Sequence, residues 1–261
     1  MNMTPTLPAS RGSLPPEGAH PALGRPGGGV LVSTPRTRIK ICGLTREQDV
    51  DAAVAAGADA VGFVLYPKSP RAVTAERAAE LARRLPAFVT PVLLFVNEEP
   101  AAARAALAAV AGAMAQFHGD ESPDQCWQAS GEGRHRFLRA ARIPLGTAGS
   151  GFDLVEFAVR FNRAQAILLD AHVEGYGGGG KAFDWSLLPP AVDAHLVLSG
   201  GLAPASVGEG IRALRTAGRS LAVDVSSGVE SAKGIKDAGK IREFVAAVRE
   251  ADAAALLASH R

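Results

Sequence analysis

The reactive side chains of this chain stand at the ends of short apolar runs. Cys42 closes Arg38-Ile39-Lys40-Ile41, His118 closes Met114-Ala115-Gln116-Phe117, Asp170 closes Ala166-Ile167-Leu168-Leu169, and Asp224 closes Leu221-Ala222-Val223. Arg71 follows a fifth such run, 60–65. A thiol, an imidazole, two carboxylates and a guanidinium brought to one mouth can hold an anionic substrate and move protons on it. Each group also has a plainer reading. A free cysteine is commonly a small buried hydrophobe. A strand-end histidine is often a hydrogen-bonded core residue, so binding ranks before catalysis for His118. Asp170 needs a partner or a function, because an unpaired buried charge is costly. Lys181 and Arg71 are its candidate partners. Cys126, within 123–129, has no such company and takes no role.

Side chains alternate along a strand, so Lys40 and Cys42 share one face and Ile39 and Ile41 the other. The apolar pair is expected to meet helices, which sends Lys40 and Cys42 inward. The same count puts Gln116 with His118, and Leu168 with Asp170. A thiol beside a lysine has its thiolate stabilised, which suits a base.

Two glycine clusters read as an anion cradle: Ser199-Gly200-Gly201-Leu202 and Val225-Ser226-Ser227-Gly228-Val229. Glycine lets backbone approach a ligand closely, and helix N-termini supply free N–H groups. On this count Gly200, Gly201, Ser227 and Gly228 are candidate phosphate-binding residues. A third run, 175–180, is Gly-Tyr-Gly-Gly-Gly-Gly followed by Lys181, and reads as a mobile loop beside the site. It is no P-loop, because Ala182 stands where that motif requires Ser or Thr.

These residues need elements to position them. Strands are expected at 38–43, 60–65, 89–96, 114–119, 137–143, 166–171, 195–201 and 221–226. Ala-rich helices are expected at 46–56, 75–85, 101–111, 152–162, 206–217 and 240–254, with less regular connections after strands four and six. Strands alternating with helices imply a parallel sheet. Eight units share the 224 residues from 38 to 261, or 28 each, a length that suits a closed (β/α)8 barrel. Barrel active sites sit at the C-terminal ends of strands, and phosphate often binds after strands seven and eight. An open doubly wound sheet is the alternative, yet no G-x-G-x-x-G follows the first strand.

The fold class is therefore α/β, a single (β/α)8 TIM barrel over 38–261 with a disordered N-terminal extension over 1–37. That extension is crowded with Pro, Gly and Ser and buries too little apolar surface to order itself. It carries three Arg against one acid, leaving 25 basic and 25 acidic residues in the body. A neutral body and 5% aromatic residues argue against a nucleic-acid partner. No stretch reaches the ~20 apolar residues of a membrane span, and no signal peptide is seen, so a cytoplasmic location is expected. Two cysteines make neither a disulfide framework nor a metal cluster.

At this point the motifs resemble a known family. Lys40-Ile41-Cys42-Gly43-Leu44-Thr45, Ser69-Pro70-Arg71, Gln116-Phe117-His118-Gly119-Asp120-Glu121 and Leu168-Leu169-Asp170 with its glycine loop and Phe183-Asp184-Trp185 are similar to those of phosphoribosylanthranilate isomerases. So are Ser199-Gly200-Gly201-Leu202 and Ala222-Val223-Asp224-Val225-Ser226-Ser227-Gly228-Val229-Glu230. They stand in the family's order across 38 to about 250. The resemblance implies an enzyme of tryptophan biosynthesis that rearranges N-(5′-phosphoribosyl)anthranilate without cofactor or metal. It implies Cys42 as general base and Asp170 as general acid. Arg71 would hold the anthranilate carboxylate, His118 and Asp224 would line the pocket, and the two glycine loops would bind phosphate. The partner is then a small phosphosugar, and the chain a monomer or homodimer. One departure is Ala203, where the family often has a polar residue. Another phosphosugar barrel is the runner-up, such as the aminoimidazole-carboxamide isomerase of histidine synthesis or a synthase on a related phosphate, but the histidine enzyme is expected to use paired aspartates in two similar half-barrels. A barrel without activity, kept for binding, is the third reading, and the Cys42 and Asp170 pair argues against it.

Overall fold

The computed structural model describes residues 36–144, 152–172 and 191–258. Eight parallel strands close a barrel in sequence order: β1 (Arg38–Cys42), β2 (Ala60–Val64), β3 (Thr90–Phe95), β4 (Met114–Phe117), β5 (Phe137–Pro144), β6 (Ala166–His172), β7 (His195–Ser199) and β8 (Ser220–Val225). β1 closes the ring on β8, with Lys40 opposite Asp224. The helices are α1 (Glu47–Ala56), α2 (Ala75–Ala82), α3 (Pro100–Ala109), α4 (Pro123–Ala129), α5 (Leu154–Arg160), α6 (Val207–Leu214) and α7 (Ala238–Ala258). Between β8 and α7 lie a 3-10 turn, Ser227–Val229, and a small antiparallel hairpin, β9 (Glu230–Ala232) with β10 (Ile235–Lys236). The eight-stranded expectation holds, and every strand lies within two residues of its expected ends.

Local chemistry sets the helix starts. Thr74 accepts from the Arg77 N–H ahead of α2, and Asp153 from the Glu156 N–H ahead of α5. Ser122 and Gln125 form a reciprocal capping box at α4, whose first residue is Pro123. Gly57 closes α1 in the left-handed conformation.

Strand alternation splits the core into two layers. Ile39, Ile41, Phe63, Leu93, Phe95, Phe117, Leu169, Leu198 and Val223 face the helices. Inside the barrel a smaller cluster holds Val92, Leu138, Ala140, Ala166, Leu168 and Val197, bordered by Ala60, Met114 and Ala222. Inner residues step by two along each strand, so the same register carries Lys40, Cys42, Gln116, Asp170, Ser199 and Asp224 inward.

The expected extension over 1–37 falls mostly outside the described residues, and so does the glycine run 175–180 with Lys181. The last two positions of that extension behave differently from the expectation. Thr37 is buried and donates from its N–H and its Oγ1 to Asp252 of α7, at 2.9 and 2.7 Å. Arg36 pairs with Asp59. Both side chains belong to the barrel because they satisfy carboxylates at its N-terminal end.

Candidate active site

β1 delivers two polar side chains into a largely apolar barrel interior. Lys40 Nζ lies 2.7 Å from Asp224 Oδ1, and Asp224 Oδ2 accepts from Ser199 Oγ at 3.1 Å. One buried carboxylate therefore ties β1, β7 and β8 together. Burial acts against the Lys40 charge, but Asp224 and Cys42 outweigh it and hold the ammonium above its usual range. Cys42 is 4% exposed and sits opposite Gly62 of β2. A Cβ on Gly62 would lie 2.6 Å from Cys42 Sγ, so a larger residue there would displace the thiol.

The thiol's surroundings differ in one respect from the expectation. Burial pushes the Cys42 pKa up and dominates. Lys40 and Lys236 pull it down, and Asp224 pushes it up again. The lysine effect has the expected sign; desolvation is larger. Cys126, pushed up to about 12 by burial, packs as a small apolar residue in the outer core.

β4 and β6 bring a second cluster together. His118 Nε2 lies 3.0 Å from Asp170 Oδ2, and His118 Nδ1 lies 3.1 Å from Gln116 Nε2. Asp170 thus meets an imidazole. Of the two partners considered for it, Arg71 pairs with Glu230, and Lys181 lies outside the described residues. Arg142 of β5 stands beside Asp170 in register and pairs with Asp120.

Arg71 forms the third cluster. Its Nε and Nη2 donate to Glu230 Oε1 and Oε2 at 2.7 and 2.8 Å, while Lys236 Nζ donates to the same Oε1 at 2.8 Å. Burial would raise the Glu230 pKa, yet these bonds outweigh it and keep the carboxyl below its usual range. Neither Glu230 nor Lys236 was picked out by sequence reasoning. Glu230 stood inside a recognised motif, and that was its one signal.

The two glycine loops meet. Gly200 and Gly201 both have left-handed backbone, φ +79° and +68°, which side chains rarely adopt. Gly228 packs so tightly on the first loop that a Cβ would overlap the Leu202 carbonyl oxygen. The loops after β7 and β8 therefore form one continuous backbone surface, with Ser227 opening the 3-10 turn.

A closed parallel barrel with titratable groups gathered at the C-terminal ends of its strands has the organisation of a barrel enzyme. Residues 39–247 match the family model described as N-(5'phosphoribosyl)anthranilate (PRA) isomerase. The chain belongs to the phosphoribosylanthranilate isomerase family. The N-(5'-phosphoribosyl)anthranilate isomerase of Methylibium petroleiphilum is 64% identical over 218 residues, 84% of this chain and 96% of the relative. The crystal structure of phosphoribosyl anthranilate isomerase from Thermotoga maritima has a TM-score of 0.70 and 38% identity, over 82% of this chain and 99% of that one. A further phosphoribosyl anthranilate isomerase structure, in complex with reduced 1-(o-carboxyphenylamino)-1-deoxyribulose 5-phosphate, has a TM-score of 0.65 and 34% identity, over 82% and 99%. Among the described residues no helix is long and apolar enough to cross a membrane.

Proposed function

We propose that the chain isomerises N-(5′-phosphoribosyl)anthranilate to 1-(2-carboxyphenylamino)-1-deoxyribulose 5-phosphate, an Amadori rearrangement in tryptophan biosynthesis. The observation that carries the mechanism is a thiol on β1 and a carboxylate on β6, both on the inward register near the strands' C-terminal ends. A substrate between them meets a proton acceptor and a proton donor from well-separated strands.

Asp170 gives a proton to the furanose ring oxygen. The C1′–O4′ bond breaks, and the nitrogen lone pair forms the C1′=N double bond of a Schiff base. Cys42, as thiolate, then removes the C2′ proton. The freed electron pair makes a C1′=C2′ double bond and neutralises the nitrogen, leaving an enolamine. Protonation at C1′ and loss of the C2′ hydroxyl proton give the ketone. The nearby Lys40 and Lys236 favour the thiolate. His118 carries one oxygen of Asp170, and Asp224 holds Lys40 toward the thiol. Arg71 takes the anthranilate carboxylate by paired charged hydrogen bonds. Gly200, Gly201, Ser227 and Gly228 offer backbone to the phosphate.

The test is turnover on N-(5′-phosphoribosyl)anthranilate generated in situ, with product followed by chromatography. Turnover by the parent chain that is lost in Cys42→Ala and Asp170→Asn supports the reading. A parent chain that leaves the substrate unchanged overturns it.

A further inference from the structure

We infer that Glu230 and Lys236 are positioning residues that fix Arg71 and thereby set the preference for a substrate bearing a carboxylate on its aromatic ring. The inference rests on the reading of Arg71 as the carboxylate holder.

Arginine offers five N–H donors around a planar fork. Glu230 occupies the side-on edge, Nε with Nη2, at 2.7 and 2.8 Å. That leaves the end-on edge, built on Nη1 and the second N–H of Nη2, for an incoming carboxylate. The clamp is itself held. The Lys236 side chain is 0% exposed and bonds Glu230 Oε1, Ser226 O at 2.9 Å and Ser226 Oγ at 3.3 Å. The hairpin carrying both residues is tied to the β1–α1 loop: Thr45 Oγ1 donates to Gly234 O at 3.1 Å, and Arg46 Nη2 to Lys236 O at 3.4 Å. On the other side, the methylenes of Arg71 pack over Gly43, where a Cβ would come within 2.5 Å of Arg71 Cδ. The guanidinium is thus fixed before substrate arrives, and binding does not have to order a long side chain.

A buried ammonium beside the fork also needs a counter-charge. Glu230 supplies it for both Lys236 and Arg71. Without Glu230, the two cations face each other and Arg71 swings free.

The test compares two substrates made in situ from ribose 5-phosphate derivatives: the anthranilate adduct and the carboxylate-free aniline adduct. Parent, Arg71→Met, Glu230→Gln and the double variant Glu230→Gln/Lys236→Met are assayed, each at its pH plateau. Glu230→Gln is expected to raise KM for the anthranilate adduct roughly tenfold, with kcat within about threefold, from the cost of ordering one long side chain. Its kcat/KM for the aniline adduct should stay within about twofold of the parent's. The double variant removes both buried charges, so it keeps the parent's Tm and shows the same loss of preference. If Arg71→Met weakens the preference and neither Glu230 variant does, the clamp is wrong and the reading of Arg71 stands. If Arg71→Met treats both adducts as the parent does, the reading of Arg71 falls and takes the inference with it. Equal losses on both adducts in the Glu230 variants mark a structural defect and also overturn the inference.

Discussion

His118 Nε2 sits 3.0 Å from Asp170 Oδ2 while Gln116 Nε2 faces His118 Nδ1 at 3.1 Å. The imidazole thus bridges the Gln116 amide and the Asp170 carboxyl through its two ring nitrogens. One carboxylate oxygen is thereby held, and the other is left for proton delivery. Asp170→Asn keeps the shape and loses the donor, so ring opening stalls and kcat falls at least ~10²-fold with KM little changed. His118→Ala loosens the aim and costs roughly tenfold. Because the two act as one unit, Asp170→Asn/His118→Ala should be no slower than Asp170→Asn. Additive losses in steady-state kinetics would show that they act independently.

Cys42→Ser is expected to lose at least ~10²-fold in kcat, since a hydroxyl ionises far less readily than a thiol near ~8.5. If ring opening precedes proton abstraction, this variant accumulates the Schiff base and Asp170→Asn does not. Rapid-quench analysis separates the two.

The pH–rate profile tests what surrounds the thiol. Lys40 and Lys236 lower the Cys42 pKa, against burial and Asp224. In the proposed mechanism the thiolate is the active form, so the rate should rise as pH climbs through that pKa. Lys236→Met removes a cation and should move the acid limb of the profile to higher pH. A limb that stays put or moves down would show that Lys236 does not act on the thiol.

At the proposed phosphate site, Gly228→Ala forces a Cβ against the Leu202 carbonyl, which is backbone and cannot swing aside. The loops must part, and KM for the phosphorylated substrate should rise by at least tenfold, roughly the worth of one charge-assisted hydrogen bond. Unchanged KM would place the phosphate elsewhere.

At the N-terminal end, Asp252 accepts from Thr37 and from Arg215 Nη2 at 2.7 Å. A chain starting at Arg38 should melt roughly 5–10 °C below one starting at Arg36, from about 2–3 kcal/mol of lost charged hydrogen bonding. Burial would raise the Asp252 pKa, but Arg215 and Thr37 outweigh it and hold it down. This stabilisation is complete above the unfolded aspartate value near ~3.9 and is lost as pH falls through the lower folded value. The gap between the two truncations should close over that acidic window in calorimetry.

How much of this was readable follows from where the information lies. Parallel strands are buried on both faces and read as apolar runs, so all eight were visible. The inward turn of Cys42 followed from Ile39 and Ile41 on the opposite face of the strand. The capping box at Ser122 and Gln125 was also local and would have fixed the short α4. Pairing over long separations was not readable. Arg71 and Glu230 lie 159 residues apart, and the hairpin carrying Lys236 is too short to show a period. Thr37 was grouped with its Pro-rich neighbours because its partner lies 215 residues away. For Cys42, the lysine's sign was readable but the depth of burial was not.

Lys40 and Asp224 are separated by 184 residues, and their ion pair spans the seam where the first strand meets the last. A ribosome finishes β1 well before β8, so the thiol waits through the synthesis of the six strands between them without the neighbours that define it. Until the seam shuts, Cys42 has the reactivity of an ordinary solvent-facing cysteine. The ion pair that sets the surroundings of Cys42 is thus a contact of barrel closure itself, and the site is completed by the same event that completes the fold.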